Sequence, residues 1–189
     1  KQTSLLDVLK ETDLRVRFTD DFKTTGTQQY LEKNVLQRRL LSCLFSIGTN
    51  TGLSRVSSLI PGEQHHELIH VKKTYLTKEQ LRQAIAKVNN ATFAIRLEKI
   101  WGQVTVSLAS DSKKFGAWAQ NLMAEHHIRY GGRGVMIYWH VEKNSVCIYS
   151  QLKSCSSSEV SAMIEGVLRH CTNMQVEKQF VDSHGQSEV

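Results

Sequence analysis

The sequence predicts a mixed α/β fold: a helical first half followed by a sheet-bearing second half. Two observations predict it. Up to about residue 100, apolar residues recur at the three- and four-residue spacings of amphipathic helices. Beyond that point the period changes to short runs rich in β-branched and aromatic residues, interrupted by one well-marked helical stretch. With 189 residues, 40 % of them apolar, the chain can build one good core or two small ones. Its single proline, Pro61, favours long uninterrupted helices.

Taken in order, Ser4 and Asp7 form a capping pair ahead of Leu5, Leu6, Val8 and Leu9. From 28 to 47 the apolar positions 31, 35, 36, 40, 41, 44 and 45 define a second helix, with Gly48 as its stop. Leu53, Val56, Leu59 and Ile60 make a short third, ended by Pro61-Gly62. His65-His66-Glu67, with His70 nearby, reads as a solvated loop rather than a metal site. Thr77 with Gln80 caps a further helix whose inner stripe is Leu81, Ile85 and Val88. That helix either continues through Ile95 or breaks at Asn89-Asn90. Arg38-Arg39 and Lys72-Lys73 read as solvated pairs that could touch DNA.

Residues 101–110 then read as a strand with valines at 104 and 106, and 115–127 as helical or irregular. After a loop at Gly131-Gly132-Arg133-Gly134 come two strands, 135–141 and 145–152, joined by a tight turn at 142–144. His140 and Glu142 alternate onto one face, where exposed polar positions are the simpler reading. Trp118, Trp139, Cys147 and Cys155 read as packing residues. A helix follows, with Ser156–Ser158 as caps, Glu159 in its first turn, and Val160, Met163, Ile164, Val167 and Leu168 inward. A last strand, 176–181, ends at Asp182.

A strand that follows a helix can lie parallel to an earlier one through a right-handed crossover. If 176–181 lies beside 101–110, their carboxyl ends meet, and Asp111 and Asp182 project side by side. Ligands gather at the carboxyl ends of such strands. Two neighbouring carboxylates repel unless a cation or a proton lies between them, and hard oxygen donors suit Mg²⁺. Two such ions, roughly 3.5–4 Å apart, can serve phosphoryl transfer. Asp111 would then bridge the ions and Asp182 complete one of them. Lys113, Lys114, Arg129 and Arg133 would hold a phosphate backbone. The alternative is structural: Asp111 as a cap from Ser112, and Asp182 as the opener of a turn at 183–185.

From "IWGQVTVSLASDSKKFG" through the Gly-rich Arg-Gly loop and hairpin to "FVDSHGQSEV", the chain resembles the transposases of the Tn-three family. The upstream "LLSCLFSIGTNTGLSRVSSL" and "LRQAIAKVNNATFAIRLEKIWG" resemble that family's helical lead-in. The resemblance implies a ribonuclease-H-like fold, truncated here, with a DDE metal triad. Asp111 matches the first acid and Asp182 the second, while the third, a glutamate, is expected beyond Val189; Glu188 is in the wrong place to replace it. It further implies 3′-end cleavage and strand transfer of double-stranded transposon-end DNA into target DNA. Two Mg²⁺ ions, with Mn²⁺ as the alternative, and a homodimer of the full-length enzyme in the bacterial cytoplasm are also implied. The expected domains are a helical scaffold, 1–97, and the first part of the catalytic domain, 98–189. The chain reads as an internal fragment, inactive alone. One departure is Gln103-Val104-Thr105-Val106, where the family carries glycine and threonines.

Other readings remain open. The balance of 24 basic against 18 acidic residues permits a phosphate-rich partner without requiring one. A non-catalytic DNA-binding or dimerisation module is the competing class. Residues 39–60 loosely suggest a helix-turn-helix, with Ser54, Arg55 and Ser57 toward bases. The four cysteines form no C-x-x-C pair and read as buried free thiols of a reduced compartment. No apolar run approaches the roughly 20 residues a bilayer needs.

Overall fold

The computed structural model describes residues 3–24, 26, 31–102, 104, 106–128 and 131–182. Two compact units divide the chain, Lys1–Val88 and Asn89–Val189. The expected mixed α/β class holds, with helices first and a mixed sheet after them. No helix among the described residues is long and apolar enough to cross a membrane.

In the first unit, α1 (Leu5–Val16) opens on the expected capping box: Ser4 Oγ accepts from the Asp7 amide at 3.1 Å, and the Asp7 carboxylate accepts from the Ser4 amide at 3.1 Å. A 3-10 turn at Phe18–Asp21 follows. Asp13, fully buried, ties that turn to the next helix by accepting from the Thr19 amide (2.8 Å), the Thr19 hydroxyl (2.7 Å) and Gln37 Nε2 (2.5 Å). That helix, α2, spans Lys33–Gly48, and the expected start at 28–30 lies outside the described residues. Leu36, Leu40, Leu41 and Cys43 of α2 pack with Val56 of α3 (Leu53–Leu59) and with Leu68, Val71 and Tyr75 of α4 (His65–Tyr75).

Three expectations fail here, one of them in part. His65-His66-Glu67 is not a loop but the first turn of α4, because Gln64 and Glu67 form a reciprocal capping box. Of the Arg38-Arg39 pair, Arg38 is exposed as expected, but Arg39 is not. Arg39 is buried, with Nε 2.8 Å from Glu63 and Nη2 2.6 Å from Glu67, and Arg38 Nη2 also reaches Glu63 at 2.5 Å. Ser57, expected to face bases, is buried and bonds the Ser54 carbonyl.

The next helix, α5 (Lys78–Ile95), continues through Asn89-Asn90. Those side chains find partners instead of breaking the helix: Asn89 donates to the Cys147 carbonyl at 2.9 Å, and Asn90 accepts from the Asn173 amide at 2.8 Å. Its inner face uses Ala84 where Ile85 was expected, and Ile85 is about half exposed.

In the second unit, α6 (Glu98–Trp101) precedes β1 (Ser107–Gly116), the two-residue β2 (Glu125–His126), β3 (Arg133–Glu142), β4 (Cys147–Lys153), α7 (Glu159–Arg169) and β5 (Lys178–Phe180). β3 pairs antiparallel with β1 and with β4, and its first residues pair with β2. β5 lies parallel to β1, as the crossover argument requires.

The first strand differs from its expected 101–110. Trp101 closes a helix, Gly102 breaks away at φ +74, and β1 starts six residues late and runs on to Gly116. Its length is set by β3, against which it registers from Leu108↔Glu142 to Gly116↔Gly134. Asp111 therefore sits in mid-strand rather than at a strand end. His140 and Glu142 do share a face, but they are buried, not exposed. Glu142 accepts from Arg96 Nη1 and Nη2 at 3.2–3.3 Å and from the Asn144 amide at 2.9 Å, which closes the hairpin turn. α7 packs on Val160, Ala162 and Gly166, leaving Ile164 and Leu168 outside. Small residues win because the helix seats on the His140 ring, which any side chain at Gly166 would overlap. Trp118 is exposed rather than packed. All four cysteines are free; Cys43 and Cys155 are buried, whereas Cys147 and Cys171 are exposed.

Candidate functional site

Strand alternation sorts β1 into two faces. Leu108, Ser110, Ser112 and Lys114 face the same side as Tyr138, His140 and Glu142 of β3, while Ala109, Asp111, Lys113 and Phe115 face the other. Asp111 lies opposite Trp139, whose ring meets Phe115 edge-on at 5.9 Å. Its carboxylate is exposed, and Oδ1 accepts from the Ser112 amide at 2.6 Å.

The parallel pairing of β5 brings the second acid into play. The last paired rung is Ala109↔Phe180. β5 ends there, and Asp182 follows two residues later; were the register to continue, position 182 would stand opposite position 111 on the same face. Both acids also act on one buried phenol. The Tyr138 hydroxyl is pushed up to about 12, first by burial and then by the negative charges of Glu159, Asp182 and Asp111.

Glu159 and Ser112 had no assigned part in the sequence reading beyond a first-turn acid and the start of a cap. Ser112 Oγ donates to Glu159 Oε1 at 2.6 Å, and Lys153 Nζ lies 3.7 Å from the same oxygen. This contact fastens the start of α7 to β1 on the face opposite Asp111. Beside it runs a chain of neutral polar groups. Gln179 Nε2 donates to Ser110 Oγ at 2.7 Å, and Ser110 Oγ meets His140 Nδ1 at 2.9 Å. Only the two-residue alternation of His140 and Glu142 pointed toward this buried network.

The four expected phosphate-holding residues are spread apart. Lys113 is exposed, two residues from Asp111 on its face. Lys114 lies on the other face and donates to the carbonyls of Gly131 and Gly132, the latter at 2.9 Å, so it holds the glycine loop. Arg133 opens β3, beyond the Gly116↔Gly134 rung, which is on the order of 17 Å from Asp111 along the strand. Arg129 lies outside the described residues.

Among the described residues no group of three or more His, Cys, Asp or Glu side chains could hold a metal ion. What is present is two exposed carboxylates, Asp111 within β1 and Asp182 two residues past the end of β5. That donor chemistry suits a hard cation completed by waters, phosphate oxygens or a further acid.

The family model of the Tn3 transposase DDE domain matches residues 7–189. The chain is similar to the transposase for transposon Tn1546 of Enterococcus faecium, 24 % identical over 182 residues, which is 96 % of this chain and 18 % of that protein. It is likewise similar to the transposase for transposon Tn2501 of Escherichia coli, 26 % identical over 186 residues, 97 % of this chain and 18 % of that protein. With the transposase for transposon Tn501 of Pseudomonas aeruginosa it shares 22 % identity over 148 residues, 77 % of this chain and 15 % of that protein. The chain thus spans less than a fifth of the length of these curated relatives, and almost all of it falls inside one shared domain. The chain belongs to the Tn3 transposase DDE domain family.

Proposed function

We propose that this chain supplies two metal-holding acids, Asp111 and Asp182, to a transposase that cleaves 3′ ends of double-stranded transposon DNA and joins them to target DNA. The observation that carries the reading is the parallel register Ala109↔Phe180, which leads both strands toward one pair of carboxylates. The sheet order β4-β3-β1-β5 fits the first part of a ribonuclease-H-like domain. Bound Mg²⁺, or Mn²⁺, would activate the attacking oxygen and stabilise the leaving one in an in-line displacement. Asp111, in the central strand, and Asp182 would hold the metal. A third acid, a glutamate that the family resemblance puts outside residues 1–189, would complete the set.

Other side chains have simpler parts. Lys113 would neutralise a phosphate next to the scissile one, while Lys114 shapes the glycine loop that approaches the DNA. Arg133, and Arg129 with it, would contact the backbone farther along the duplex. Residues 1–97 would act as a scaffold within a homodimer, with some DNA contact, and the protein would work in the bacterial cytoplasm.

Metal-dependent cleavage of transposon-end DNA by the full-length transposase tests this. Asp111→Asn and Asp182→Asn should each lower cleavage by more than about 100-fold, since even outer partners of metal ligands are worth 10–100-fold. DNA binding should persist in both. Cleavage retained in either variant would overturn the assignment of that residue.

A further inference from the structure

We propose that Gln179, Ser110 and His140 are positioning residues. Together they fix the register of β5 on β1 and so hold Asp182 level with Asp111. The inference rests on the metal-pair reading above and adds to it the device that aligns the pair.

β5 is short and gains little from burial. It has three residues, and both Lys178 and Phe180 are exposed. Parallel pairing is slightly less stable per residue than antiparallel, and a one-residue slip would turn every side chain to the opposite face. Such a slip would carry Asp182 to the side away from Asp111. Upstream, Met174 and Val176 pack with Leu108, Ile148 and Tyr149, and the amides of Glu177 and Lys178 donate to the Val106 carbonyl at 2.9 and 3.1 Å. These contacts bring the segment to the sheet. They reach no farther than Lys178, the first residue of the strand, and beyond it two ladder rungs and a side chain are left to fix the far end.

Gln179 does that from the middle of β5. Its amide reaches Ser110 Oγ at 2.7 Å and comes within 3.4 Å of His140 Nδ1. Ser110 precedes Asp111 in β1 and faces His140 across the β1–β3 ladder. His140 is fully buried beneath Gly166 of α7, where its ring fills the space a side chain would need. With Nδ1 as an acceptor, Ser110 donates to His140 and receives from Gln179, and the three groups form one directed chain from β5 through β1 to β3. In a slipped register the Gln179 amide would leave this face, and two buried polar groups would lose a partner.

The test uses this chain and two readouts. Amide hydrogen exchange, resolved by residue, follows Lys178–Phe180; Mn²⁺ titration followed by electron paramagnetic resonance follows the acids. Gln179→Leu should cut protection of the β5 amides about tenfold while β3 and β4 amides keep theirs, and should weaken Mn²⁺ binding about tenfold, in the range of outer-partner losses. Ser110→Ala should do the same, and the double variant should be no worse than either single one. Ser110→Thr, which keeps the hydroxyl, should restore both readouts. Unchanged β5 protection in Gln179→Leu overturns the proposal, as does an equal loss across all strands, which would mark mere destabilisation. Equal Mn²⁺ affinity in the unaltered chain and in Asp111→Asn would sink the metal reading instead, and β5 exchange alone then decides the register role.

Discussion

The two units place their buried polar groups differently. In Lys1–Val88 these groups are charged or accept several bonds at once: Asp13 gathers Thr19 and Gln37, and Glu63 gathers Arg38 and Arg39. Asp13 ties α1 to the turn after it and to α2, and Glu63 ties the segment before α4 to α2. Among its described residues, Asn89–Val189 has the Arg96–Glu142 pair at the hairpin turn and the Lys153–Glu159 pair, which reaches Ser112 of β1. Where β5 joins the strand that bears Asp111, however, it uses the uncharged Ser110, His140 and Gln179, and Glu159, a carboxylate on that face, is paired with Lys153. A positive charge buried there would repel a divalent cation at the acids, and a negative one would compete for it. Neutral groups can align the strands without entering that balance.

The strongest way to break this comparison is to remove the charged tie of the second unit. Glu142→Ala would leave Arg96 buried without its carboxylate and the 143–145 turn without its acceptor. Breaking a buried pair from one side costs about 3–5 kcal/mol. All three tryptophans, Trp101, Trp118 and Trp139, lie in this unit, so urea unfolding followed by tryptophan fluorescence reads it selectively. The midpoint should fall steeply. A shift worth less than about 1 kcal/mol would mean that Arg96 rehydrates freely and the tie is weak.

Acid should expose the neutral chain next. Burial holds His140 down at about 4, partly opposed by the Ala162 carbonyl, whereas an unfolded histidine titrates near 6.5. Between about pH 6.5 and 4 the unfolded state therefore binds more protons, and stability falls as pH falls. The loss builds through that window to about 3 kcal/mol and is complete below about 4. Asp20, Glu67 and Glu125 are held below the ordinary carboxylate range, so their loss begins at lower pH. Fluorescence-detected unfolding at pH 7 and 5 should show the drop. His140→Gln should be less stable at pH 7 and show a shallower slope over the same window, the remainder coming from His170, which burial also holds below the usual histidine range. An equal slope in both proteins would refute the assignment to His140.

Much of this was legible in the residues, and the limits have physical causes. The caps at Ser4 and Thr77, the hairpin, and the parallel return of the last strand follow from local chemistry and handedness. Local pattern could not show that β1 extends to Gly116, because its partner across the ladder sets its length. It also could not show that α7 would turn Ala162 and Gly166 inward instead of Ile164 and Leu168. The imidazole beneath the helix, not apolar periodicity, decides that face. The α4 box was missed because glutamine is an unusual cap, although Leu68, Val71 and Tyr75 kept helical spacing. At the candidate site the expected strand ends single out the two aspartates, although Asp111 lies in mid-strand. Their supporting groups were missed because an isolated serine, histidine or glutamine carries no signal until tertiary pairing joins them.

The smallest expected effect tests the division itself. Ser4→Ala removes the oxygen that accepts the Asp7 amide at the start of α1 but keeps the carboxylate that accepts the Ser4 amide. Loss of such a cap costs about 1 kcal/mol, which moves the melting point of a unit this size by about 4–8 °C. The helical signal at 222 nm draws mainly on the first unit, which holds α1 to α4 and most of α5, while tryptophan fluorescence draws on the second. If each unit is held by its own buried network, the 222 nm transition should move and the fluorescence transition should stay. A common shift of both would mean that the units unfold as one cooperative block. The separate roles of the charged and neutral networks would then have to be argued from chemistry alone, without a boundary in stability between them.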